Sequence, residues 1–402
     1  MCAAAATEVA AQDRGLVLNE QIQLGDVISG QTLNVVDVSD QVTASTAAQG
    51  NSLIGGADGQ AVDLRSTQDM RGEASASTTM TLGGDTNGLV TSVTQARGNY
   101  LAGTATRAQI GIDATQSASG DVTASSLITG QEARMVGGGT IAVGAYGNTV
   151  ALAGNGSGSD RASLVGSIDQ TTTGQVRATN QASPRFVRDP AEFSSQALAN
   201  AVQATSGPST NQELEVRQRS SGAMVEAGTA VYAGNGWNLA ARAHAGGNQA
   251  AFYNQGGSLI TTTDQDNSAQ IRGAVRLSSY DFGMATAAAS AVANEVTVGN
   301  NDIYVDIDNT QMNTGGVEAT ASFVGQKGYD AYVGANAAGN SVTGYACAEC
   351  GGDLNARNVQ TNTGNVSAIA NTTINGNGRN VIAGANAVGN AATFYVTRTG
   401  GN

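Results

Sequence analysis

Aromatic side chains are scarce in this chain: one Trp, ten Tyr and six Phe make up 4% of 402 residues. So low a share raises the question of disorder, but 40% of the residues are hydrophobic and they recur in register. Proline is nearly absent, with three in all, which suits stacked strands that need every backbone N–H. Basic residues are also few, 19 against 32 acidic ones, for a net charge of −13. That balance keeps the particle soluble and excludes nucleic acid as a partner, because phosphates demand a basic surface. One His (His244) and three Cys fall short of a tetrahedral zinc set, so neither a metal nor a cofactor is expected. No apolar run approaches the roughly 18 residues of a membrane helix.

What the sequence has in abundance is repetition. A frame of Gln, three polar residues, Gly, any residue and an apolar residue starts at Gln21, Gln68, Gln116, Gln170, Gln218, Gln265, Gln311 and Gln360. The fourth residue on is Gly25, Gly72, Gly120, Gly174, Gly222, Gly315 and Gly364, with Ala269 the exception. The sixth is always apolar, from Val27 to Val366. About 30 residues after each Gln comes an Asn: Asn51, Asn99, Asn148, Asn200, Asn248, Asn294, Asn340 and Asn390. Gly precedes six of these, and Ala199 and Ala293 precede the others. Apolar residues then recur at alternate positions, which is the period of a strand. A third alternating run, such as Ile303–Ile307 or Leu214–Val216, leads into most of the Gln residues. Successive Gln residues lie 47, 48, 54, 48, 47, 46 and 49 apart. Polar loops at 155–160 and 347–352 account for the longer steps, and both fall at a corner, where backbone is solvated.

These patterns predict an all-β fold, a β-solenoid of eight repeats of about 47 residues. One repeat buries only a thin core of small residues, and stacking repeat on repeat makes that core continuous. Gln and Asn at fixed positions then form amide ladders, each side chain donating to its equivalent in the next unit. The recurrent Gly supplies a positive φ or a close approach between rungs. The Gln and Asn motifs look like half-units, so two coils per repeat are expected, for a rod of roughly 75 Å at the strand spacing of about 4.8 Å. The alternative is an eight-bladed propeller, whose four-stranded blades need 40–50 residues each, against which stands the single Trp237.

Residues 1–15 read as the remnant of an export signal or a disordered N-terminus, with Cys2 a candidate lipidation site, and 16–402 as one solenoid domain. The three prolines, Pro184, Pro190 and Pro208, mark an expected excursion at 183–209. Cys347 and Cys350 suit a small local disulfide in an exported protein. The chain runs about a dozen residues past Asn390 without a helical cap, and an open strand there invites end-on association.

Candidates for chemistry are thin. His244, in Ala-Arg-Ala-His-Ala, is the one side chain able to serve as the base of a triad, and its setting reads as a surface or corner position. Asp302, Asp306 and Asp308 are closely spaced, which suits a solvated face, or else a calcium or sugar contact. No catalytic residue is assigned.

The Gln…Gly…Asn spacing is similar in style to the curlin type of bacterial amyloid subunit, although the unit here is about twice as long. From Gln21-Ile-Gln-Leu-Gly25 to Gly384-Ala-Asn-Ala-Val-Gly-Asn390 the whole chain resembles the holdfast anchor protein D family of stalked bacteria. That resemblance implies a non-enzymatic protein, exported through a curli-like outer-membrane apparatus and displayed on the cell surface. It also implies partners: other holdfast anchor proteins and the adhesive polysaccharide they fasten to the envelope. Self-association follows from the open ends. The alternatives are a β-helical carbohydrate-active enzyme working through Asp306 or Asp308, and a self-assembling amyloid-like fibre subunit.

Overall fold

The structure, a computed structural model, describes residues 14–301, 304–347 and 353–397. The described residues form strands and the turns between them, and no helix is long and apolar enough to cross a membrane. Cys2, Asp302 and Cys350 lie outside the described residues, and with them the lipidation site, one acid of the triplet and the Cys347–Cys350 pairing.

One sheet takes the strand that ends near each Gln. These are β1 (Gly15–Gln23), β4 (Val62–Met70), β7 (Gln109–Ala118), β10 (Ala162–Thr172), β13 (Thr210–Ser220), β15 (Ser258–Asn267), β17 (Tyr304–Asn313) and β19 (Asp353–Asn362). They stack in that order, all parallel. Register is fixed by identity: Gln21 faces Gln68, and Gln265 faces Gln311.

The second sheet holds the other two strands of each unit. After the Gly come β2 (Val27–Val35), β5 (Ala74–Leu82), β8 (Val122–Met135) and β11 (Val176–Val187). Around the Asn lie β3 (Val42–Asp58), β6 (Val90–Thr106), β9 (Gly139–Asn155) and β12 (Ala191–Ser206). In the next three units the two fuse into single 31-residue strands, β14 (Met224–Asn254), β16 (Gln270–Asn300) and β18 (Val317–Cys347). They separate again as β20 (Val366–Ile374) and β21 (Asn380–Thr397).

This register corrects the expectation of two coils per repeat. Among the described strands each pairs with its equivalent one full unit away, and the Gln strand never pairs with the Asn strand half a unit away. The eight-stranded sheet therefore spans seven steps of about 4.8 Å, or roughly 34 Å. The parallel pairing also argues against the propeller, whose blades are antiparallel. The window 183–209 is strand rather than a long excursion: β11 and β12 fill most of it, each paired on both sides. Its prolines sit at the breaks. Pro184 marks a register shift, Pro190 separates the two strands, and Pro208 leads into a turn at Ser209, whose φ is 58°.

Two apolar clusters run the length of the stack. One gathers the post-Gly strands and the residues before each Asn, such as Ile128, Val143 and Phe193; the other gathers the Gln strands and the residues after each Asn, such as Leu101, Ile110 and Val150. The recurrent Gly serves close approach. A Cβ at Gly120 would overlap the carbonyl of Gly72 on the neighbouring rung, and neither glycine has a positive φ.

Candidate functional site

The Gln and Asn columns stand where the two apolar clusters meet, and they make a wall of buried amides. Each Gln Nε2 donates to the Oε1 of the Gln on the preceding rung, at 2.7 to 3.0 Å, without a break from Gln360 down to Gln21. Its second hydrogen goes to a backbone carbonyl of its own unit, as from Gln218 to Gln249 at 2.9 Å. The Asn column runs the other way. Asn51 Nδ2 donates to Asn99 Oδ1, and so on up to Asn340 and Asn390, at 2.7 to 2.9 Å. Inner members such as Gln170, Gln218, Asn148 and Asn248 have no accessible surface. Buried amides are tolerated there because each donor and acceptor has a partner.

A shorter column went unread in the sequence. Asn267 Nδ2 donates to Asn313 Oδ1 (2.8 Å), and Asn313 Nδ2 to Asn362 Oδ1 (2.7 Å). The signal was present, because each lies two residues after its Gln; other units hold Met70, Ala118, Thr172 or Ser220 there, which hid it.

His244 does not stand at a corner. It is half-buried on the long strand β14, beside an outer groove of about 420 Å³ shared with Tyr146, Gln196, Ser290 and Asn336. Gln249 Nε2 lies 2.8 Å from His244 Nε2 and donates to Glu295 Oε2 at 2.9 Å. Burial pushes the imidazole's pKa down and the Glu295 carboxyl's up. Asp306 accepts from Tyr304 Oη (3.1 Å) and Asn355 Nδ2 (3.2 Å), and Asp308 pairs with Arg357 (3.1 Å). The two acids are thus engaged with separate partners.

Four of the scarce aromatics, Phe186, Trp237, Phe282 and Tyr329, meet at one corner of the second sheet. Trp237 and Tyr329 come from rungs two apart, yet their ring centroids are 5.8 Å apart at an interplanar angle of 76°. Gly283, on the rung between, leaves the gap: a Cβ there would meet the Trp237 backbone and ring. Both rings stay about half exposed, at 55% and 48%. Around them a cleft of about 570 Å³ is edged by Asn235, Asp281, Lys327 and Asn377. Arg379 lies over Tyr329 at 5.3 Å and pairs with Asp330. Trp237, Gly283 and Tyr329 are spaced by 46 and 46, one unit each, so the corner was readable from the repeat once register was known.

An all-β chain of parallel units stacked in register, with amide columns down its interior, places the protein in the class of parallel β-repeat proteins. The chain belongs to the holdfast attachment protein D family, whose pattern matches residues 36–316. Membership associates it with holdfast attachment, an adhesion role at the cell surface. No curated protein and no solved structure matches the chain.

Proposed function

We propose that this chain is a non-enzymatic anchor: a β-solenoid of eight one-coil repeats, 16–402 forming one domain, that fastens an adhesive polysaccharide to the outer cell surface. It is secreted, works beside other holdfast anchor proteins, and grips through its surface and its ends. The amide columns are its scaffold rather than its reactive groups. The observation that carries the polysaccharide reading is the Trp237–Tyr329 corner. In a chain so poor in aromatics, two half-exposed rings border a cleft edged by planar amides, a carboxylate and an amine. Rings offer an apolar platform for the face of a sugar, and planar polar groups suit its hydroxyls. Asp281 and the overall charge of −13 favour a partly cationic amino-sugar polymer.

Trp237 is the sole Trp, so its fluorescence reports on this cleft alone. Titration with a partly deacetylated chitin oligosaccharide is expected to give a saturable spectral shift, with binding at least tenfold weaker in Tyr329→Ala by calorimetry. An unchanged spectrum and no heat at millimolar sugar would remove the reading.

A further inference from the structure

Both ends of the stack carry the features that its interior uses to join rung to rung. Because the two amide columns run in opposite senses, each end presents one donor and one acceptor. On the first rung, Gln21 Nε2 donates to Ser52 O (2.9 Å), which leaves its second hydrogen facing outward, and Asn51 Oδ1 accepts from no described residue. On the last described rung Gln360 Oε1 accepts from no described residue and Asn390 Nδ2 donates to none. The last rung of one copy set against the first rung of another would let Gln21 donate to Gln360 and Asn390 donate to Asn51.

The glycines point the same way. In the Gln-linked column a Cβ aims at the preceding rung, from Gly72 onto Gly25 O and from Gly364 onto Gly315 O. In the column before Asn it aims at the following rung, from Gly50 onto Gly98 O and from Gly339 onto Gly389 O. Gly25 opens the first column and meets nothing within 4 Å; Gly389 closes the second and meets only the Asn362 amide, at 3.4 Å. Neither position is crowded by a backbone of its own chain, yet both hold the residue that lets another rung come close. Charge agrees. In the shared register Arg14 falls opposite Asp353, and Asp40 opposite Arg379. Apolar side chains are exposed at both ends: Leu18, Ile22 and Ile28 at one, Val359, Ile369 and Ile382 at the other.

We infer that the partner of each end is a second copy of this chain, stacked head to tail in parallel register, so that the amide columns and both sheets continue across the junction. This inference rests on the end-on assembly in the proposed function and gives that assembly a direction. A twofold contact between like ends would lay the edge strands antiparallel and break the column register. A head-to-tail contact repeats the step the chain already takes between its own rungs, and because it does not close it extends into a filament.

The test uses two one-ended variants. Gly25→Leu projects a side chain out of the first rung, and Gly389→Leu out of the last. Leu is chosen because Ala199 and Ala293 show that the column before Asn accepts a methyl group. Circular dichroism and melting temperature check that each variant folds like the parent. Sedimentation velocity is then run on the parent, on each variant alone, and on their equimolar mixture. The expected result is a parent that grows with concentration, two variants that stay monomeric, and a mixture that forms a 1:1 dimer and stops there. If either variant alone dimerises, the head-to-tail direction is wrong while end-on assembly stands. If the variants elongate like the parent, growth is lateral and both fail. A parent that stays monomeric up to millimolar concentration also removes both.

Discussion

Gln218 and Gln170 lie one rung apart and are joined by a 2.8 Å bond from Nε2 to Oε1, both side chains fully buried. Gln218 also donates to Gln249 O and accepts from Gln265 Nε2 at 2.7 Å. Gln218→Leu therefore strands three groups in a place that water does not reach. A stranded buried polar group costs about 1–3 kcal/mol, so three of them point to a loss of at least about 3 kcal/mol in urea unfolding. Gln360→Leu strands two groups on an end rung that is partly open to water, for about 1 kcal/mol. Equal losses at the two sites would mean that burial in the column does not set the cost.

Close approach between rungs makes a second contrast. Gly120→Ala drives a Cβ into the carbonyl of Gly72, so two rungs must part. Gly228→Ala, on β14, meets nothing within 4 Å. The first substitution is expected to destabilise by about 1–3 kcal/mol as an overpacked contact. The second should be neutral, or stabilising by up to about 1 kcal/mol through the unfolded chain. Thermal melts of the pair decide it.

The Gln249 amide requires a neutral His244, because its nitrogen donates to Nε2 and leaves the proton on Nδ1. Burial depresses the folded imidazole's pKa, so the unfolded chain takes up the proton first and His244 costs stability as pH falls below about 6.5. Glu295 behaves in the opposite sense: its folded pKa is raised, so it costs stability as pH rises from the ordinary carboxylate range through the raised value. Relative to the parent, His244→Gln should gain melting temperature between pH 7.5 and 5.5, and Glu295→Gln between pH 4 and 7. Parallel melting curves for parent and variants across both windows would show that neither group senses its burial.

The amide columns were legible because a buried Gln or Asn needs a like partner at a fixed place, and only an exact repeat supplies one. The order of stacking was not. The Gln and Asn strands share the alternation of small apolar residues, so nothing local says which one lies over which. That is why one coil per unit was misread as two. The fused strands β14, β16 and β18 were hidden for a similar reason. Residues such as Gly236 and Gly328, which suggest a break between two strands, lie inside continuous strand. The Trp237–Tyr329 contact required knowing that residues 92 apart in sequence share one corner two rungs apart.

The backbone bonds between rungs lie along the stack axis, as do both amide columns. A pull along that axis stretches every bond across a rung boundary in the same direction. Load spread over an end face is therefore shared across two sheets, and a boundary yields only when its bonds fail together. A pull applied to one corner peels those bonds in turn and needs far less force. The stack's strength along its axis thus depends on how squarely it is gripped, and a grip that continues the rungs themselves spreads tension most evenly.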